Sequence, residues 1–201
     1  MSPPEEIKLY FDYKSPFAYL ASGPAFELDR RFQVRVRWIP IQLRIKGPGA
    51  RSVRSDWKAR YSYLDARRFA TPRGIVIKGP QKIYDTEPAL IGALLAMREG
   101  CFERYTAEAY RRFFVRELEL DRPEAIAGLL AELGVAPAVY HAWLEGQGRD
   151  AYAECEREAE ADHVFGVPIF LFRGEPFWGH DRLPVLEQRL REAALSKTGT
   201  L

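Results

Sequence analysis

The sequence predicts an α/β fold whose sheet is interrupted by a long block of helices. Three observations predict it. Near the start, two stretches that alternate apolar and polar residues flank an amphipathic helix. Near the end, strand periodicity returns in VFGVPIFLF and in Phe177-Trp178, followed by one more helix. Between them, from about Ser55 to His163, the apolar residues recur at helical spacing. The chain has 201 residues, of which 47% are hydrophobic and 13% aromatic, enough to build a core and to exclude disorder.

Taken in order, Ile7, Leu9 and Phe11 alternate with Lys8, Tyr10 and Asp12, which predicts a first strand. Ser15 suits the N-cap of a helix and Pro16 its first turn, where the missing N–H costs nothing. That helix runs to about Arg31 and is expected to bury Phe17, Leu20, Pro24 and Leu28. Val34, Val36 and Trp38 then alternate with Gln33, Arg35 and Arg37, so the opening is a β-α-β unit with a right-handed crossover. IPIQLRIKGPGARSVRS carries the Gly and Pro punctuation of a loop. Trp57, Tyr61 and Leu64 fit one helical stripe. Leu90, Leu94 and Met97 fit a second, stopped by Gly100, and Phe102, Tyr105, Ala109 and Phe113 fit a third. Asp121 and Glu124 form a variant capping box before Ile126, Leu129, Leu130 and Leu133, with Gly134 as the stop. Shorter helices fit 139–144 and 151–161.

VFGVPIFLF is a continuous apolar run, as expected of a strand buried on both faces. RGEP predicts a turn into Phe177-Trp178. Asp181 suits an N-cap for a last helix that buries Leu183, Leu186, Leu190 and Ala194. The resulting order, β-α-β, helices, then β-β-α, is the thioredoxin topology with a large all-helical insertion. The expected division is a thioredoxin-like domain from residues 1–53 and 164–201, with the helical insertion at 54–163.

Composition narrows the function. With 30 basic and 28 acidic residues the formal net charge is +2, which does not predict a nucleic-acid partner. No apolar run is long enough to span a bilayer, and the acidic start lacks the apolar core of a signal peptide, so a cytoplasmic protein is expected. Cys101 and Cys155 are far apart and form no C-x-x-C, and both read as small core residues. His141, His163 and His180 show no metal-ligand spacing, so no metal site is predicted.

Three places carry chemistry, each with a structural reading beside it. Ser15 is either a plain helix cap or a hydroxyl placed where a helix N-terminus stabilises a thiolate. Pro168 either opens a strand in trans or forms a cis bond that leaves the Val167 backbone free to pair with an extended ligand. Gly179-His180-Asp181 is either a cap or a site where backbone N–H groups take a carboxylate and Asp181 takes an ammonium. In a thioredoxin topology all three meet at one edge.

FDYKSPFAYLA at the start and FGVPIFLFRGEPFWGHDRL at the end resemble the DsbA-like thioredoxin family. They are most similar to its branch of 2-hydroxychromene-2-carboxylate isomerases and kappa-class glutathione transferases. The resemblance covers nearly the whole chain, and Lys58, Tyr61 and Asp65 match a K-x-x-Y-x-x-x-D helix of that branch. It implies glutathione as cofactor, an aromatic small-molecule substrate and a homodimer. It implies that Ser15 bonds the glutathione sulfur, that Val167 before Pro168 pairs with the cysteinyl backbone, and that His180 and Asp181 hold the γ-glutamyl end. Lys58 is a candidate for the glycyl carboxylate or the substrate's acid. The implied reaction is isomerisation, the thiolate adding reversibly to a conjugated aromatic acid. Conjugation of the kappa type and a non-catalytic binding module are the alternatives. Disulfide exchange is not expected, because Ser15 and Ala18 occupy the positions that need cysteines. Two departures stand out. The family's G-N pair is replaced within GPGARSVRS, and Lys14 is a charge where a small or apolar residue is usual. Lys14 either lowers a thiol pKa, selects an acidic substrate or faces solvent.

Overall fold

The computed structural model describes residues 3–43 and 53–197. Strands β1 (Glu5–Phe11), β2 (Val34–Pro40), β3 (Ile169–Phe172) and β4 (Glu175–Trp178) form one sheet in the order β2-β1-β3-β4. β1 runs parallel to β2 and antiparallel to β3, and β3 runs antiparallel to β4. The parallel pair needs a crossover, which α1 (Pro16–Arg31) supplies. Arg173 and Gly174 both hold positive φ, 52° and 81°, the backbone of the tight turn that joins two antiparallel strands. Glu175 and Pro176 therefore belong to β4 rather than to the turn. Pro176 is tolerated because β4 is an edge strand.

Among the described residues, six α-helices, α2 (Val53–Ala70), α3 (Glu87–Arg98), α4 (Phe102–Phe114), α5 (Pro123–Glu132), α6 (Pro137–Glu145) and α7 (Gln147–Ala161), lie between β2 and β3 in the chain. α8 (Leu183–Glu192) closes it. Helices α2 to α7 share one apolar cluster with Phe11, Tyr13, Ala18 and Leu20, so the end of β1 and the start of α1 are wedged against them. α8 covers the sheet through Leu183, Leu186 and Leu190, against Ile7, Leu9 and Phe170.

Several expectations are corrected. The Trp57, Tyr61 and Leu64 stripe faces solvent, with exposures of 63%, 57% and 48%. α2 packs instead through Tyr63, Ala66 and Ala70, a stripe of the same spacing on another face. Phe17 and Pro24 are half-buried, and the inner face of α1 is completed by Ala21 and Ala25. Asp121 does not cap α5. Arg122 precedes Pro123, which forces it into extended backbone and makes it the cap residue, and Asp121 pairs with Lys82 at 2.9 Å. Asp181 does not cap α8 either. Residues 180–182 form a 3-10 turn, and α8 starts at Leu183 with Pro184 in its first turn. Ala194 lies beyond α8, exposed and at φ 57°. Of VFGVPIFLF only residues 169–172 are strand. Phe165, expected inside, is 68% exposed. The segment holding the altered family motif lies largely outside the described residues.

Candidate functional site

The chemistry begins where β1 runs into α1. Ser15 sits in extended backbone at the N-cap, and its Oγ accepts from Ala18 N–H at 3.2 Å. The capping reading is therefore correct, but it does not exhaust the hydroxyl. The same Oγ donates to the carbonyl of Val167 at 3.3 Å, across 152 residues of sequence. The Val167–Pro168 bond is cis. The Pro168 carbonyl accepts from Gly179 N–H at 2.9 Å, which ties this loop to the end of β4. The Val167 N–H pairs with no described residue. Ser15, Val167-Pro168 and Gly179-His180 thus lie side by side at one edge, as the topology predicts.

A cleft of about 280 Å³ opens beside them. Phe17, Phe69, Trp178 and His180 form its aromatic walls, Val167 and Pro168 its floor, and Asp65, Asp181 and Arg182 its polar rim. His180 stacks on Phe17 with ring centroids 5.4 Å apart and meets the edge of Phe69 at 4.6 Å. Burial lowers the imidazole from its ordinary range, Asp181 opposes that, and Arg73 adds to it. Its Nε2 is buried without a partner among the described residues. Asp181 is exposed and paired with Arg182 at 2.8 Å. Asp65 is paired with Arg68 at 3.0 Å.

Gly179 makes the rim possible. Its φ of 108° is a conformation that L side chains rarely adopt, and a Cβ there would meet Asp181 Oδ1 at 2.4 Å. Gly166 lets the Trp178 indole close over the loop, since a Cβ at that position would meet Nε1 at 2.7 Å.

The structure brings Ser15, Pro16, Val167, Pro168, His180 and Asp181 together. It does not bring Lys58 to the cleft. Lys58 is exposed on α2, two turns before Asp65, and is absent from the cleft lining. Of the aromatics on the insertion, Phe113 is buried, Trp143 is half-buried and bonded to Ile91 O at 3.1 Å, and Trp57 and Tyr61 face solvent; none of the four lines the cleft. Sequence reasoning missed Phe17 and Phe69 as cleft walls. Phe17 carried a weak signal, two residues after Ser15. Phe69 carried none, because only packing brings the end of α2 to His180. Lys14 does not face solvent. It is 8% exposed and points inward to Asp12 and Tyr84. Burial raises both native thiols, Cys155 to about 11. Among the described residues there is no group of three potential metal ligands and no helix long and apolar enough to cross a membrane.

A thioredoxin sheet, a serine at the head of its first helix and a cis-proline loop against that serine define a thioredoxin-fold protein without a redox dithiol. The model for the DSBA-like thioredoxin domain matches residues 6–191, and the chain belongs to that family. It is 29% identical to a 2-hydroxychromene-2-carboxylate isomerase of Pseudomonas putida over 195 residues, covering 92% of this chain and 93% of that protein. A protein of the same name from Sphingobium xenophagum is 27% identical over 192 residues, covering 92% and 97%. A solved structure of a 2-hydroxychromene-2-carboxylate isomerase superposes with a TM-score of 0.78 at 26% identity, covering 94% of this chain and 96% of that one.

Proposed function

We propose that the protein is a glutathione-dependent isomerase of an aromatic conjugated acid, of the 2-hydroxychromene-2-carboxylate type. The observation that carries the reading is the Ser15 hydroxyl, fixed 3.3 Å from the Val167 carbonyl at the head of α1, with Ala18 where a second redox cysteine would stand. This is an edge suited to a thiol in a chain that has none there. Similarity to isomerases over nine-tenths of the chain supports the choice of reaction.

The residues present fit glutathione. The Val167 N–H, which pairs with no described residue, and the adjacent carbonyl suit an extended peptide backbone. Asp181 and Asp65 suit an ammonium, and Arg182 with the 3-10 turn suits a carboxylate. Bound glutathione supplies the nucleophilic thiol. The chain's own contribution is to orient and to stabilise charge. Ser15 Oγ would turn its donor from Val167 O toward the sulfur, and the N-terminal end of α1, where Pro16 has no N–H and Ala18 N–H is held by Ser15 Oγ, would favour the ionised form through the helix dipole and the Phe17 N–H. The aromatic walls hold the ligand and exclude water from the edge.

The test is the thermal-unfolding shift with reduced glutathione at matched pH, for wild type and Ser15→Ala. Ligand at about 100-fold over its Kd adds about 2.7 kcal/mol, several degrees for a chain of this size. A shift that shrinks in Ser15→Ala supports the reading, and chromene turnover that requires glutathione completes it. Release of a stable glutathione conjugate instead of isomerised product would reassign the protein to transferase chemistry. Absence of any shift at millimolar glutathione would overturn both enzyme readings in favour of a binding module.

A further inference from the structure

Asp12 and Lys14 are the two charged side chains that are buried among the described residues, at 0% and 8% exposure. They lie within three residues of Ser15. Asp12 Oδ2 accepts Leu43 N–H at 2.7 Å, and Oδ1 accepts Lys14 N–H at 3.2 Å. Lys14 Nζ stands 3.4 Å from Asp12 Oδ2 and donates to Tyr84 O at 3.4 Å. The carbonyl of Asp12 accepts Ser15 N–H at 3.0 Å, so the pair and the serine share one turn.

Folding alone accounts poorly for such a pair, because desolvating two charges offsets most of their attraction. Burial raises the Asp12 carboxyl, and Lys14 is the main opposing influence. Among the described residues, the other titratable groups coupled to Asp12 are phenols, Tyr13, Tyr63 of α2, Tyr110 of α4 and Tyr152 of α7; Glu156 of α7 lies one step further out, accepting from the Tyr152 hydroxyl at 2.7 Å and from Gln42 N–H at 3.1 Å. All four are held above the ordinary phenol range, so they are neutral at physiological pH. The Thr86 hydroxyl, also buried, lies near the same carboxylate and has no hydrogen-bond partner among the described residues. Among the described residues, the buried charges on this side of Ser15 are therefore one cation and one anion.

We propose that Lys14 is a positioning cation for the thiol site, supplying positive potential at residue 15, and that Asp12 holds that potential in check. The inference rests on the reading of this edge as a thiol site, but its test uses no glutathione. Ser15→Cys places a reporter thiol at the position, and its ionisation is followed by thiolate absorbance and by iodoacetamide alkylation against pH. Cys101 and Cys155 stay protonated where the reporter titrates, because burial raises both.

In that background Asp12→Asn is expected to lower the reporter pKa by about one unit, and Lys14→Met to raise it by a similar amount. The double substitution returns it near the starting value, and Lys14→Arg leaves it in place. A purely structural pair would move it in one direction or not at all. The proposal is overturned if Asp12→Asn raises the pKa or leaves it unchanged, or if Lys14→Met fails to raise it. Should Asp12→Asn not fold, Lys14→Met and Lys14→Arg decide alone. Loss of the glutathione-induced shift in the wild type would refute the isomerase reading without touching this titration, and the reverse also holds.

Discussion

Gly179→Ala isolates the contribution of one backbone conformation to the cleft. At φ 108° an alanine meets strain worth about 1–3 kcal/mol. The loss of chain freedom in the unfolded state returns about 0.4–1 kcal/mol, which leaves a net destabilisation of up to about 2.6 kcal/mol and about 1.3 kcal/mol at the midpoints. For a chain of this length the midpoint figure lowers Tm by about 3–5 °C. The new Cβ also falls 2.4 Å from Asp181 Oδ1, and that carboxylate must swing away. Gly100→Ala is the matched control. Its φ is also positive, 73°, but nothing lies within 4 Å of the added Cβ and it is remote from the cleft. Urea unfolding and glutathione titration of both variants separate the two effects. Both should lose stability, and only Gly179→Ala should weaken glutathione binding. Unchanged stability in Gly179→Ala, or equal binding in the two variants, would refute the reasoning.

Three further expectations follow from the same geometry. Glu158 is held at about 2, chiefly by its hydrogen bonds to Arg37 and then by Lys8. Its contribution to stability is complete above the unfolded value of 4.5 and is lost as pH falls through about 2. Arg37→Ala should cost about 1–2 kcal/mol at pH 7 and flatten acid unfolding in that window, as read by urea midpoints. His180 is lowered from 6.5 by burial, so the folded state resists its protonation. The stability it permits is present above pH 6.5 and falls as the pH drops below it. His180→Asn should remove that slope, and Phe69→Ala, which opens the ring to water, should raise the His180 titration seen by NMR. In an insulin-reduction assay the protein should give no acceleration, since neither native cysteine stands at the head of α1. Measurable reductase activity would show that a distant thiol reaches this edge.

Much of the site was legible because its parts are local. Ser15-Pro16 announces a cap in any context, and Val167-Pro168 interrupts an apolar run where a ladder bond would be expected. The order of strands and helices then brings those parts to one edge without any knowledge of packing. What was misread depended on which of two faces is buried. Trp57, Tyr61 and Leu64 and the smaller Tyr63, Ala66 and Ala70 have the same spacing, and periodicity does not choose between them. Pro123 moved the start of α5, because the backbone limit it sets on Arg122 outranks the preference of an upstream aspartate for a cap, and a 3-10 turn at residues 180–182 puts the start of α8 beyond Asp181.

The sequence by itself determined the topology, the absence of a dithiol and the serine at the head of α1, because each follows from short-range spacing and residue chemistry. Only the tertiary structure decided that Lys14 turns inward to Asp12 and that the end of α2 delivers Phe69 and Asp65 to the cleft. It alone decided that Lys58 stays outside. These outcomes depend on contacts between residues distant in the chain, and the burial that fixes them is a property of the packed whole.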